Sequence, residues 1–352
     1  MANHNIASPD NSYPSSKPAI DVFTLGNALV DYIYEGVQES FLSDNKLRSG
    51  DMHLVNPEAG ILLDEKLASM KMIRLAGGSA TNVACGVANL GGKSACSGCV
   101  GDDANGLFFQ ANLIASDVKP HLWKSEIPTG VARTFVTTRD DGRIERTFAT
   151  SLGAAPTLPP QALPIDTIRT SRILHTTGYT YQAMSDTFAA ALEIAVSAGT
   201  MVSLDLSSPS VIEEYRQQLM DLTLSKVDFL FMNEQESMTL SGTDNPLDSA
   251  QLLGDKIKFL IIKLGPDGAR VFHEGKETVI EPFAATNVLD VNGAGDGFTA
   301  GFLYSFCRGL SLHTCGRVGA YYGARVVEHL GARLPFSPMS QVASIIAAEE
   351  KV

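Results

Sequence analysis

Several features that would assign the chain to a special class are missing. No apolar run among its 352 residues reaches the ~18 that a membrane span needs. The opening stretch, "MANHNIASPDNSYPSSKPA", is polar and has no apolar core of the kind a secretory signal carries. Residues 1–19 are expected to form a disordered tail. Basic side chains are in deficit, 27 against 39 acidic, and the net charge of −12 leaves no basic stripe for a nucleic-acid backbone. Cysteine is scarce as well: five residues, an odd number in a long chain, point to a reducing compartment. The expected location is therefore cytoplasmic. Cys96 and Cys99 form a CxxC, but Cys307, His313 and Cys315, which would have to complete a metal site, lie far along the chain. Buried thiols in a strand are favoured over zinc or redox chemistry.

What is present is a core and an alternation. Hydrophobic residues make up 44% and charged residues 19%, enough apolar material for a substantial interior. Short apolar runs at 19–26, 172–178, 200–207, 227–233 and 258–265 read as buried strands bounded by Gly, Asn or Ser. Helical patterns at 184–199, 210–224 and 248–257 lie between them. This spacing predicts βαβ units and a doubly wound α/β fold, with a mostly parallel sheet flanked by helices. Ligands of such sheets bind beyond the carboxyl ends of the strands. Two segments break the alternation. Residues 32–72 are polar and mixed, and 128–150 read as a hairpin in which "DDG" supplies the turn. Both are expected to form a small β-lid inserted into one domain spanning 20–352.

Two glycine-rich stretches each open a helix. In "LAGGSATNVACGVANLGG" (75–92), Gly77 and Gly78 precede Val83, Val87 and Leu90 at helical spacing. In "DVNGAGDGFTAGFLYSF" (290–306), Gly293, Ala294 and Gly295 precede the stripe Phe298, Phe302, Leu303 and Phe306. A helix start exposes unpaired N–H groups and a partial positive charge, and glycine lets an oxyanion approach them. Close packing of helix on strand would also explain glycines. Asp296 favours the first explanation. An acid in the first turn would repel a bound phosphate, so its presence there is best explained as a base that takes a proton from an attacking hydroxyl.

Other polar positions stay open at this level. Asn27 and Asp31, in "GNALVD", follow the first strand and would lie at its carboxyl end, where either ligand binding or turn formation suits them. "NEQE" ends a strand; Asn233, Glu234 and Glu236 could hold magnesium through water, and Asn233 could equally cap a helix. "GPDG" (265–268) is a turn after a strand that could lie under a nucleotide. Two familiar phosphate loops are excluded. "GVANLGGKS" has one glycine too many for a Walker A loop and sits in a helical pattern. "GAGDGF" lacks the dinucleotide spacing.

The two glycine-rich stretches, with "GCVGDDANG" after the first, closely resemble the two signatures of the ribokinase-like (PfkB) carbohydrate kinases, from about residue 20 to about 335. Within that family the chain is most similar to adenosine kinases, through "GNALVD", "LDLSSPSVIEEYRQQLM" and "VDFLFMNEQE", and through Asn292, where sugar-specific members usually carry Thr. The resemblance implies a Rossmann-like core with a β-lid and transfer of the ATP γ-phosphoryl group to a primary hydroxyl of a ribofuranose-containing substrate, adenosine first.

The roles it implies are these. Asp296 is the base, and Gly293, Ala294 and Gly295 form the anion hole. Arg146 meets the transferred phosphate. Asp31 holds the ribose hydroxyls, with Asn27, Gly77, Gly78, Ser79 and Asn82 completing that pocket. Phe148, Leu152 and Tyr179 pack the base of the nucleoside. Asn233 and Glu236 serve Mg2+, and Gly265 and Gly268 lie beneath ATP. A monovalent cation (K+) near 286–292 and a homodimer paired through the lids, as against a monomer, are further implications. The chain departs from the family at Gly297, usually Ala, and matches weakly over 32–72, where substrate choice is made. A sugar kinase of the same family, acting on ribose, fructose or a sugar acid, is the alternative. A nucleotide-binding regulator without turnover is the alternative of another class.

Overall fold

The structure, a computed structural model, describes residues 19–50, 52–138 and 144–350. All of the expected tail but Ala19, and the Asp140-Asp141-Gly142 turn, lie outside the described residues. Among the described residues fourteen strands follow in order: β1 Ile20–Leu25, β2 Leu29–Glu35, β3 Met52–Leu54, β4 Met72–Ala76, β5 Ser94–Gly101, β6 Val118–Ser125, β7 Thr129–Thr138, β8 Ile144–Gly153, β9 Ser171–Thr177, β10 Met201–Asp205, β11 Phe229–Asn233, β12 Phe259–Lys263, β13 Ala269–His273 and β14 Lys276–Ile280. Nine of them make one sheet in the order β14-β13-β12-β11-β10-β9-β1-β5-β6. It is parallel from β12 to β6 and antiparallel where β13 and β14 close the edge.

The sheet is buried on both faces, and its strands show it. In β11, Phe229 and Phe231 pack on one face with Phe298, Phe302 and Phe306. Leu230 and Met232 pack on the other with Phe188, Leu192 and Leu219. Alternate side chains of a strand point to opposite faces, so a run with no polar member needs a helix layer on each side. Cys96 and Cys99 sit three apart in β5 and belong to opposite layers; both thiols are buried and burial raises both. Among the described residues no helix is long and apolar enough to cross a membrane.

Each predicted strand is found and so is a helix in each predicted stretch, but the one expected over 248–257 ends at Leu253, and another starts earlier than expected. The helix expected from 184 begins at Gly178, capped by Thr177, whose side chain accepts from the Thr180 N–H. Met184 has non-helical backbone angles and kinks it. The periodic pattern therefore starts at the kink, and the turn before it carries Tyr179 towards the site.

The remaining five strands form a second sheet in the order β3-β8-β7-β2-β4. β7 and β8 are the predicted hairpin, with Thr134 opposite Phe148. β2 and β4 begin and end outside 32–72, so the small sheet takes more of the chain than its polar composition suggested. This changes the placing of Asp31. It lies inside β2, opposite Leu75, not at the carboxyl end of a core strand. The chain leaves the large sheet at Gly26, where a Cβ would come within 2.6 Å of Ala80 Cβ, and enters the small sheet three residues later.

Candidate active site

The two glycine-rich segments open helices Ser79–Asn89 and Ala294–Cys307, and these helices meet at their amino ends. Gly293 precedes the second helix at φ +76°, in the left-handed region, and a Cβ there would sit 2.4 Å from Ala332 Cβ. Glycine is required on both counts. Asp296 falls in the first turn. Its Oδ1 accepts a hydrogen bond from Ser79 Oγ at 2.7 Å, and its Oδ2 one from Asn82 Nδ2 at 2.8 Å. Burial raises the pKa of this carboxyl; the Asn82 and Ser79 bonds pull it back, Asp205 raises it and Lys263 lowers it. The result is a carboxylate held in a fixed direction by two donors, with its proton affinity above that of an ordinary aspartate.

Asp31 faces this site from the small sheet. Its carboxylate lies so close to the backbone at Gly77 that a Cβ there would come within 2.2 Å of Oδ1. Burial pushes its pKa to about 7, against the opposing charge of Arg333 and with the help of Asp290 and Asp296. Gly78, at φ +90°, leaves room for the Asn27 carbonyl, 2.3 Å from where a Cβ would stand. Asn27 donates to the Tyr179 carbonyl at 3.1 Å, and its own Oδ1 is buried without a partner among the described residues. An acceptor in that condition is satisfied when a hydroxyl binds.

A cleft of about 250 Å³ gathers these groups. Asn27, Asp31, Gly78, Ser79, Asn82, Phe148, Leu152, Tyr179 and Asp296, all singled out in the sequence, line it. Others it brings in without a sequence signal: Leu29 from β2, Met52 and Leu54 from β3, Ala132 and Thr134 from β7, and Gln182. β3 is only three residues long and lies in the segment that read as mixed and polar, which hid its two apolar side chains.

The remaining expected residues sit around the cleft. Arg146, on β8, does not line it. Its Nε pairs with Asp290 at 2.8 Å, Nη2 donates to the Leu289 carbonyl at 3.1 Å, and Nη1 is buried without a partner among the described residues. Asp290, the first residue of the quoted motif, also accepts from the Asn292 and Gly331 N–H groups. Asn233 and Glu236 form a reciprocal cap on helix Glu234–Ser241: Oδ1 of Asn233 accepts from the Glu236 N–H, and both Glu236 oxygens accept from Asn233. With both oxygens engaged and Glu236 only 2% exposed, the pair fits a hydrated cation reached through water better than direct ligation. Among the described residues no three His, Cys, Asp or Glu side chains converge as a metal site.

Gly265 and Gly268 form the turn after β12, both at positive φ, and a Cβ at Gly268 would strike the Ile280 carbonyl. An ion pair that the sequence did not announce, Lys263–Asp205 at 2.6 Å, joins the last residues of β12 and β10. Lys263 Nζ lies 3.1 Å from where a Gly295 Cβ would be, so it reaches the second glycine loop.

A carboxylate aimed at the mouth of a glycine-opened helix, at the carboxyl edge of a doubly wound sheet and beneath a small second sheet, defines a phosphotransferase of the ribokinase-like α/β class. The chain belongs to the pfkB family of carbohydrate kinases, matched over residues 51–339. A probable sugar kinase from Rhizobium etli has a similar structure, with a TM-score of 0.86 and 31% identity, covering 93% of this chain and 98% of that one. The adenosine kinase from Sinorhizobium meliloti aligns with a TM-score of 0.84 at 31% identity, covering 96% and 100%. Probable fructokinase-4 of Arabidopsis thaliana is 29% identical over 240 residues, 66% of this chain and 73% of its own length.

Proposed function

We propose that the chain transfers the γ-phosphoryl group of ATP to the primary hydroxyl of a ribofuranose-containing nucleoside, with adenosine the first candidate. One observation carries this reading: the cleft has two kinds of lining. Asp31, Asp296 and the buried Asn27 Oδ1 are suited to sugar hydroxyls. Leu29, Met52, Leu54, Phe148 and Leu152 add apolar surface that a free sugar would not use and a purine would. The adenosine kinase likeness, nearly complete in both chains, supports it.

The division of labour follows. Asp296 takes the proton of the attacking hydroxyl, directed by Ser79 and Asn82. The amides of Gly293, Ala294, Gly295 and Asp296 receive the developing negative charge at the helix start. Arg146 supplies positive charge from the small sheet, and Gly265 and Gly268 underlie the nucleotide. Asn233 and Glu236 would orient Mg2+ through its water, and Mg2+ would neutralise phosphate charge; backbone carbonyls near 286–292 would hold a monovalent cation. A cytoplasmic location fits these roles. A sugar kinase is the second reading, favoured by the Rhizobium etli protein and the fructokinase.

The test is ADP formation from Mg-ATP across a panel of nucleosides and free sugars. Turnover with adenosine and not with fructose or ribose is expected; the reverse overturns the nucleoside reading. Asp296→Asn should lower kcat by roughly 10²–10⁴ with little change in nucleotide binding. Unchanged turnover in that variant would remove Asp296 from its role.

A further inference from the structure

The segment between helices Leu312–Val326 and Met339–Glu349 carries no motif, yet three consecutive residues of it touch the site. The Gly331 N–H donates to Asp290 Oδ2 at 2.8 Å. Ala332 packs against Gly293, the residue that opens the catalytic helix. Arg333 donates from Nε to Asn82 Oδ1 at 2.8 Å and from Nη1 to Asn112 Oδ1 at 2.7 Å. Asn112 lies on a different helix, Ala104–Ala115, so the guanidinium has an anchor that does not depend on the site.

The bond to Asn82 has a directional consequence. A side-chain amide has one accepting end and one donating end, and guanidinium can only donate. With Arg333 on the oxygen, the nitrogen of Asn82 must face the other way, and there it meets Asp296 Oδ2 at 2.8 Å. Without Arg333 the amide is free to flip and to turn its oxygen on the carboxylate. We propose that Arg333 is a positioning residue of the phosphoryl-transfer site: it fixes the Asn82 amide in the orientation that donates to Asp296, and so aims the base. This rests on Asp296 being the base, and it extends the site to a segment outside both family signatures.

Asp205 and Glu236 face Asp296 as like charges, Lys263 as an opposing one, and the Tyr179 hydroxyl is close enough to feel it; Ser79 and Asn82 donate to it. Asp31, in the same cleft, has Arg333 as its opposing charge and Asp290 and Asp296 as like charges. Loss of Arg333 removes a positive charge near Asp31 and an oriented donor from Asp296, and both changes favour protonation.

The experiment compares the wild type with Arg333→Met and Arg333→Lys, using adenosine and fructose as acceptors with Mg-ATP. Arg333→Met should lower kcat about tenfold or more with KM for ATP within about twofold, the size of loss typical when a supporting hydrogen bond to a reactive group is removed. The acidic limb of the kcat/KM profile should move up by about one pH unit, equivalent to one supporting charge-assisted hydrogen bond. Arg333→Lys, which keeps the charge and one donor, should recover part of both effects.

Thermal melts report the fold separately. If Arg333→Met does not fold, Arg333→Lys carries the comparison through the size and direction of its pH shift. A variant that melts lower yet keeps the wild-type limb makes Arg333 a mere tie for the segment and overturns the proposal. A readout free of turnover is the carboxyl ¹³C titration of Asp296, assigned by its absence in Asp296→Asn. If no acceptor turns over but this titration still shifts in Arg333→Met, the kinase reading fails and the positioning role stands. An unshifted titration defeats the positioning role.

Discussion

Asp31 illustrates a conflict between stability and binding within one side chain. Its pKa in the folded protein, about 7, lies far above the 3.8 of an exposed aspartate, chiefly because it is buried. A raised carboxyl pKa means that folding favours the protonated form, so Asp31 helps the fold at low pH. That help is lost as pH rises from about 4 through about 7. Asp31→Asn should therefore raise stability at pH 8 by on the order of 1–3 kcal/mol, with the advantage vanishing towards pH 4. Paired urea melts at the two pH values check this. A gain of equal size at both would mean that ionisation is not its source. The same substitution should weaken acceptor binding, since the carboxylate opposite Gly77 is the group expected to take the ribose hydroxyls.

Elements show which parts of the site could be read from the chain and which could not. The helix starts were legible, because glycine pairs before a periodic apolar stripe have few structural explanations, and Gly78 and Gly293 do stand at the two amino ends. Asn233 was legible as a cap for the same kind of local reason. Asp31 was misplaced because nothing local says that the chain crosses to a second sheet at Gly26. Arg333 and Lys263 were not legible at all: their partners, Asn82 and Asp205, are 251 and 58 residues away, and only the fold brings them together. The cap separates a structural role from a functional one. Asn233→Ala removes the acceptor for the Glu236 N–H and one donor to its buried carboxylate, and should destabilise the protein by about 1–2 kcal/mol. If the pair also orders hydrated Mg2+, the variant should need more Mg2+ for half-maximal turnover. A lower melting temperature with unchanged Mg2+ dependence would leave Asn233 a cap and nothing more.

At the scale of the molecule, a buried ion pair ties the small sheet to the loop before helix Ala294–Cys307. Arg146 comes from β8 of the small sheet, and Asp290 from the loop that leads into helix Ala294–Cys307; their side chains are 7% and 1% exposed. The partners are unequal. Asp290 has two backbone N–H groups besides Arg146, whereas among the described residues Arg146 has, besides Asp290, one carbonyl and the weaker attraction of Glu35, and one nitrogen with no partner. Removing one member of a buried pair strands the other, at a cost of about 3–5 kcal/mol when nothing compensates. Asp290→Asn should therefore approach that range, because it leaves a buried guanidinium with the Leu289 carbonyl and the weaker charge of Glu35. Arg146→Met should cost less, since the Asn292 and Gly331 amides still serve Asp290. The double variant, with neither charge left to bury, should be more stable than Asp290→Asn alone. Denaturant melts of the three variants decide it, and strict additivity would mean that the pair does not couple the small sheet to the loop. The inequality also bears on function: an arginine held by one carboxylate and carrying a spare donor can turn that donor to a phosphate without losing its anchor, so Arg146→Met should reduce kcat far more than its modest effect on stability would suggest.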